Sequence, residues 1–176
     1  MKGVILTCLQ ELVTTKHGKD RWDQALAAAS FPKKSVLLAV SDVDDAAALA
    51  IVESVCSNLG LTLAQLADEF GDFWCNVYSR RLYQAFYERN RSAKAFLLDM
   101  DRVHVAMTRG MPHANPPRFE YEWRGDDTLV VHYRSSRGLI DFVAGLAKGV
   151  GSYYGEALEV TKLGPEQVEV RFPAQG

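Results

Sequence analysis

The chain has 176 residues, 48% of them hydrophobic and 24% charged, and its formal net charge at pH 7 is −2. This length suits one hydrophobic core, and the charge excludes the basic surface with which proteins bind nucleic acid or an anionic membrane. The sequence has no run of about 18 apolar residues that would predict a membrane-spanning helix. Its three cysteines form no CxxC pair, which favours a reducing compartment, so we expect a cytoplasmic protein.

Helical periodicity characterises the beginning of the chain. The spacing of Ile5 and Leu9 predicts a first helix that ends near Gly18. A second helix is predicted from Asp20 to a point before Pro32, because proline cannot continue a helix.

Three further helices are predicted before residue 116. Asp42 is the expected N-cap of the third. Thr62 and Gln65 have the spacing of a capping box for the fourth, and Ser92 begins a fifth that ends by Gly110. The expected apolar stripe of the fourth helix consists of Leu66, Phe70, Phe73, Trp74 and Val77.

After Asn115-Pro116-Pro117 the apolar period changes to two, which predicts antiparallel strands. Strands are expected at 119–123 and 128–135, a helix from about 138 to 154, and a closing hairpin of 158–162 with 167–172. We predict an α+β fold in which a helical N-terminal part, about 1–60, precedes an α/β part, about 61–176, with about four antiparallel strands.

Glycines are frequent in the helix predicted from 138 to 154. Gly145, Gly149 and Gly151 reduce helix stability, but they leave room for a flat ligand or another backbone to approach closely. The sequence leaves these two explanations open.

The end of the second predicted strand carries a candidate binding motif. If the extended geometry persists, Tyr133, Ser135 and Arg137 share one strand face with Leu129 and Val131. That face begins apolar and ends in two hydroxyls and a guanidinium. This pattern is typical of a site for an amphipathic ligand that carries carboxylates or phosphates at one end.

A histidine lies on the apolar stripe of the fifth predicted helix. Leu97, Met100, His104 and Met107 share one helical face, so His104 is expected to point inward. A core histidine bonded to a backbone carbonyl would fit this pattern, and so would the single axial ligand of a haem iron. One imidazole is too few for a zinc site built by the protein. The remaining histidines, expected to be solvated or locally bonded, are His17, His113 and His132.

Together these residues resemble the haem–nitric oxide/oxygen binding (H-NOX) family, bacterial relatives of the haem domain of soluble guanylate cyclase. The family's tyrosine-x-serine-x-arginine motif, which holds the haem propionates, matches Tyr133, Ser135 and Arg137. Its proximal histidine, which binds the iron, matches His104. The resemblance therefore implies haem b (iron protoporphyrin IX) as the cofactor.

The resemblance extends over essentially the whole chain. Met1–Ile5 is similar to the family's N-terminus, Phe70–Trp74 to a second family segment, and Pro117 to the proline that distorts the porphyrin. It implies a helical N-terminal part packed on a four-stranded antiparallel sheet with associated helices, and haem buried between the two parts.

The resemblance also places a distal pocket above the haem. Members that hold O₂ carry a tyrosine five residues after the motif arginine, where this chain has Phe142, which cannot donate a hydrogen bond. We therefore predict a sensor of nitric oxide, which also binds CO, and expect Trp74 and Tyr78 to serve in packing. The predicted distal pocket consists of Ile5, Leu9, Trp74, Tyr78, Phe142 and Leu146.

The resemblance further implies a mechanism. Binding of nitric oxide to ferrous haem weakens or breaks the bond to His104, the porphyrin relaxes from the distortion imposed by Pro117, and the helix that carries His104 shifts. We expect a sensor without catalytic activity of its own, which signals to a separate histidine kinase or cyclic-di-GMP enzyme.

Three alternatives stay open at this point. An O₂-binding H-NOX sensor would use a donor such as Trp74 or Tyr78. A haem peroxidase or oxygenase would need a distal acid–base group, which the predicted pocket lacks. A non-haem small-molecule binding module would use Arg137 to hold a fatty acid or phosphate ester, with His104 only in packing.

Overall fold

The computed structural model describes residues 1–32, 37–111 and 114–173, so His113 lies outside the described residues. The chain divides into two compact units, Met1–Leu66 and Ala67–Gly176. In the described ranges no single helix is long and apolar enough to cross a membrane. One pair of helices, Asp45–Leu59 with Leu63–Tyr78, has the length and apolar composition of a membrane span only when the two are taken together. The pair is bent by 104°.

The first unit is built from helices α1 (Gly3–His17), α2 (Lys19–Ala28) and α3 (Asp45–Leu59). Gly18, with a φ of 93°, separates α1 from α2 at the predicted position. The buried side chains of these helices form an aliphatic core around one aromatic ring. The fully or almost fully buried members are Leu6, Leu9, Leu12, Val13, Trp22, Ile51 and Val55.

The predicted N-cap of α3 is wrong by two residues. Asp44, not Asp42, caps the helix, and its carboxylate accepts a hydrogen bond of 3.0 Å from the Ala47 amide. Asp42 instead lies in a bridge with Lys2, whose ammonium it meets at 2.6 Å. The ion pair with Lys2 holds Asp42 in extended backbone before the helix begins.

Four α-helices follow in the described ranges, of which α4 (Leu63–Phe73) begins in the last residues of the first unit. The others are α5 (Arg80–Arg89), α6 (Ala93–Thr108) and α7 (Ile140–Tyr154), and a wide helical turn (Trp74–Tyr78) joins α4 to α5. The capping box of Thr62 and Gln65 forms at the start of α4 as predicted, and Ser92 caps α6.

The wide turn changes which side chains point inward. The Ser79 amide donates to the Trp74 carbonyl, five residues earlier, at 2.8 Å, which is the bond pattern of a π-helix. The additional residue moves the buried position from Val77 to Tyr78, so Val77 is 44% exposed and Tyr78 only 8%. The prediction that Val77 belongs to the apolar stripe is therefore wrong.

Helix α5 was not expected from the sequence. Arg80–Arg89 is strongly charged, and Tyr83 departs from helical geometry within it. Its buried contact is Tyr87, whose ring stacks on Phe96 at 4.5 Å and whose hydroxyl lies 2.7 Å from the buried Ser79 hydroxyl. The spacing of Tyr83, Phe86 and Tyr87 is the helical signal that would have revealed α5.

The second unit also contains a four-stranded antiparallel sheet in the order β1-β2-β4-β3. The strands are β1 (Arg118–Arg124), β2 (Thr128–Arg134), β3 (Glu159–Gly164) and β4 (Gln167–Arg171). Leu129 and Val131 of β2 pair with Val170 and Val168 of β4, and all four are buried. Helix α7 joins the same core through Ile140, Ala144, Ala147 and Val150.

The glycines of α7 allow a close approach of another backbone, one of the two explanations left open. A Cβ on Gly145 would lie 2.0 Å from the Ala67 carbonyl oxygen of α4, and a Cβ on Gly149 would lie 2.2 Å from the Gly71 oxygen. A Cβ on Gly71 would in turn lie 2.0 Å from the Gly145 oxygen. Helices α4 and α7 therefore touch through backbone atoms, with no side chain between them.

Gly145→Ala is expected to lower the free energy of unfolding by about 3 kcal/mol, since the new methyl group must push two backbones apart. Chemical denaturation of the purified variant measures this loss. Gly164→Ala is the matched control, because no atom lies within 4 Å of the Cβ it would add. Equal stability of the two variants would contradict the backbone contact.

Candidate functional site

His104 lies on α6 as a half-buried side chain beside an aromatic ring. The imidazole and the ring of Phe119, on β1, have centroids 5.5 Å apart. Its Nδ1 atom is buried and makes no hydrogen bond of ordinary geometry, although the Met100 carbonyl, one turn earlier, interacts with the ring. A buried polar atom without an ordinary hydrogen bond is costly, which makes this imidazole unusual among structural side chains.

The protonation state of His104 suits a metal ligand. Burial lowers the pKa of the imidazole below its usual value, against the opposing effects of the Met100 carbonyl and the Asp101 carboxylate. The ring is therefore neutral at pH 7, and only neutral imidazole binds a metal ion. Among the described residues no group of three or more His, Cys, Asp or Glu side chains could hold a metal ion by itself. A lone neutral imidazole fits an iron that a porphyrin already coordinates.

The side chains of the tyrosine–serine–arginine motif do not share one strand face. β2 ends at Arg134, and Arg137 lies in the turn that follows Ser135. The extended geometry therefore does not persist to Arg137, which was the condition for a shared face. The Arg137 amide donates to the Ser135 hydroxyl at 3.3 Å, and its guanidinium donates to the Asn115 carbonyl at 2.7 Å. The turn forms because the Arg137 amide bonds to the Ser135 hydroxyl instead of to a neighbouring strand.

The turn connects the motif with the loop that contains Pro117. Asn115, which accepts the Arg137 bond, lies two residues before Pro117, a half-buried residue immediately before β1. Tyr133 is 96% buried and pairs with Phe119 across the strands, with ring centroids 6.1 Å apart. Phe119 therefore lies between His104 and Tyr133 and links the ligand candidate to the motif.

Three predicted distal residues form one aromatic cluster with Phe70. The ring of Phe142, on α7, lies 5.0 Å from that of Phe70, which stacks on Trp74 at 5.8 Å. Trp74 stacks on Tyr78 at 5.6 Å, and the Arg81 guanidinium lies over the Tyr78 ring. Phe142 contributes no hydrogen-bond donor to this cluster.

The other predicted distal residues are placed separately. Leu146 is half-buried on α7, and its carbonyl accepts a weak bond from the Cys75 thiol at 3.8 Å. Ile5 and Leu9 belong to α1 in the first unit, where Leu9 is completely buried and Ile5 is half-buried. Their part in a distal pocket stays a prediction.

Two residues of the site were missed in the sequence. Phe70 joins Phe142 to Trp74, and Phe119 contacts both His104 and Tyr133. The sequence places Phe70 on the apolar stripe of its helix and in a segment similar to the family, and Phe119 only in the alternation of its strand. The i, i+4 spacing of Phe70 and Trp74 was the available signal for the first contact, whereas strand pairing was needed for the second.

The chain matches the Haem-NO-binding family (HNOB) over residues 2–162. It is 30% identical over 155 residues to soluble guanylate cyclase gcy-34 of Caenorhabditis elegans, an alignment that covers 85% of this chain and 22% of the cyclase. The chain therefore spans about a fifth of the length of the curated relatives it matches.

Solved structures share the fold. An H-NOX protein from S. oneidensis in the Fe(II)NO ligation state matches with a TM-score of 0.85 at 18% identity, over 100% of both chains. An oxygen-binding H-NOX domain related to soluble guanylate cyclases, in its oxygen complex, matches with a TM-score of 0.81 at 23% identity, over 99% of this chain and 96% of that one. These likenesses confirm the predicted α+β fold. The chain belongs to the Haem-NO-binding (H-NOX) family of haem-binding gas-sensor domains.

Proposed function

We propose that this chain senses nitric oxide with ferrous haem b, bound through His104, and signals to a separate effector protein. The observation that carries the proposal is the imidazole of His104, which is neutral, has a buried Nδ1 without an ordinary hydrogen bond and lies beside Phe119. A neutral imidazole keeps a lone pair available for an iron, and the ring lies beside Phe119, which also contacts Tyr133 of the motif.

The propionate motif contributes mainly to orientation. Burial of several hundred Å² of porphyrin is worth on the order of 10 kcal/mol before association costs, whereas each hydrogen bond to a charged propionate adds about 1.5–3 kcal/mol. Tyr133, Ser135 and Arg137 would hold the propionates. The Arg137 guanidinium now donates to the Asn115 carbonyl. To hold a propionate, it would give up that bond and donate to the anion instead.

The aromatic cluster supports nitric oxide as the preferred gas. Ferrous haem supplies an open coordination position for diatomic gases, and a hydrogen-bond donor beside that position favours O₂ over NO and CO. Phe142 offers no donor, and its ring contacts the apolar ring of Phe70. We propose that this apolar wall disfavours O₂, and that Ile5, Leu9 and Leu146 extend it, as the family resemblance implies.

The signal is proposed to leave through α6. His104 would hold the iron from α6, so a change at that bond would pass directly to α6, and Pro117 would press on the porphyrin. We propose that the effector is a histidine kinase or a cyclic-di-GMP enzyme and that this chain catalyses no reaction itself. Cys8, Cys56 and Cys75 are not joined in disulfides, which supports a cytoplasmic location.

Absorption spectroscopy tests the proposal directly. Protein purified with haem is expected to show a ferrous Soret band that shifts on addition of NO or CO and stays unchanged under air. Reconstitution of haem-free protein with hemin is the control for incomplete haem incorporation. A protein that remains colourless after reconstitution would contradict every haem-based function.

An O₂ sensor is the second candidate, because Trp74 and Tyr78 carry donors within the aromatic cluster. A stable ferrous O₂ complex that disappears in Tyr78→Phe or Trp74→Phe would establish it. The non-haem alternative, in which Arg137 holds a fatty acid or phosphate ester, would be supported by lipid binding to colourless protein.

A further inference from the structure

Asp101 joins helix α6 to the first residues of β1. Both of its carboxylate oxygens accept bonds from Arg118, one from Nε and one from a terminal nitrogen, each 2.7 Å long. The oxygen that accepts from Nε is Oδ1, and it also accepts a bond of 3.0 Å from the Phe119 amide. Asp101 is 24% exposed and Arg118 is 60% exposed. A two-pronged pair of this kind fixes both distance and angle between its partners, unlike a single surface contact.

The position of this pair matters because of what lies at each end. Asp101 lies one helical turn before His104 on α6. Arg118 directly follows Pro117, and Phe119 contacts the His104 ring. The pair therefore fixes the spacing between the helix that carries the candidate iron ligand and the segment that carries the candidate distorting proline.

A second carboxylate holds the other side of α6. Burial alone would raise the pKa of Asp99, but hydrogen bonds from Arg102, Arg89 and Asn90 lower it below its usual value. Arg89 is the last residue of α5 and Asn90 follows it. Because both bond to Asp99, this carboxylate fixes α6 to α5. Asp101 is more exposed than Asp99, which leaves the contact with β1 the more easily released of the two.

We propose that Asp101 and Arg118 are positioning residues that fix α6, and with it His104, against β1, and that they thereby set how readily His104 would release a bound haem iron when a gas binds. This inference rests on the proposed haem-based function. With the pair intact, α6 would keep its spacing from β1, and His104 would be held back from a bound iron. Without the pair, α6 would be freer to move together with His104.

Two substitutions separate the parts of this contact. Arg118→Gln removes the ion pair at an exposed position, so the Phe119 amide remains a donor to Asp101 in a bond that the ion pair no longer reinforces. Arg118→Lys keeps the charge but loses the two-pronged geometry. Arg124→Gln is the matched control, since it removes another exposed arginine of β1 that pairs with Glu122 and Glu169.

The test uses resonance Raman spectroscopy and stopped-flow absorption of the ferrous protein. Arg118→Gln is expected to raise the iron–histidine stretching frequency. It is also expected to slow the release of His104 after NO binding by about tenfold, the lower end of the effects that follow loss of an outer-shell partner. Arg118→Lys should be intermediate, and Arg124→Gln unchanged. Hydrogen exchange of the Phe119 amide should accelerate in Arg118→Gln and not in Arg124→Gln.

The outcomes distinguish this inference from the proposed function. Wild-type protein that never binds haem would overturn both. Wild-type protein that binds haem and NO, while Arg118→Gln keeps the wild-type stretching frequency and release rate, would overturn the role of Asp101 and Arg118 alone. If Arg118→Gln and Arg124→Gln change the spectra equally, a general loss of surface charge explains the effect and the inference also fails.

Discussion

His104→Gly is expected to abolish stable haem binding, with an affinity loss of more than about 100-fold, above the range seen for lost outer-shell partners. The substitution removes the one imidazole assigned to the iron and leaves a cavity in its place. Free imidazole fills that cavity and supplies the missing ligand, so its addition is expected to restore the ferrous spectrum. Haem content after gel filtration, with and without imidazole, measures both effects.

His132→Gly is the matched control for His104→Gly. His132 lies on β2, where its ring contacts Glu122 at 3.2 Å and Gln167 at 3.3 Å, and it has no part in the candidate site. This variant should retain haem without imidazole. Normal haem binding by His104→Gly, or equal loss in the two variants, would remove His104 as the iron ligand.

Phe142→Tyr is expected to give the chain a stable O₂ complex. A new hydroxyl at this position would donate to bound O₂, which carries partial negative charge, and such a bond is worth about 1.5–3 kcal/mol. That energy corresponds to an increase of about 10- to 100-fold in O₂ affinity, with little change for CO. Absorption spectra of the ferrous protein under air and under CO measure the difference.

Phe172→Tyr is the control for this substitution, because Phe172 is a similarly buried phenylalanine that packs on Trp123 in the sheet core. It should leave gas binding unchanged. Failure of Phe142→Tyr to bind O₂, with haem content intact, would show that position 142 does not face the gas, and the predicted apolar wall would have to be reassigned.

Local patterns predicted most of the fold. The capping box at Thr62, the cap at Ser92 and the break at Gly18 each depend on neighbours in sequence, and the structure confirms them. Asp42 failed as a cap because Lys2, forty residues earlier, holds it by an ion pair. Val77 failed because a single wide turn changes the phase of a helix, and no composition signal marks that turn.

The candidate site shows the same division. His104 and Phe142 could be selected from helical spacing and family resemblance, since each lies on a regular helix. The contact of Phe119 with His104 and the pair of Asp101 with Arg118 depend on how β1 lies against α6. Such contacts join segments that are distant in sequence, so residue spacing alone could not predict them.

The wide turn at Trp74–Tyr78 has a consequence for how this region tolerates change. Before the turn, Phe70 packs against Phe142; after it, Tyr87 supports Phe96 of α6. The number of residues between these two contacts is therefore fixed. A one-residue deletion within the turn would rotate all of α5 by about 100°, since an α-helix has 3.6 residues per turn, so this stretch should accept substitutions far better than changes in length.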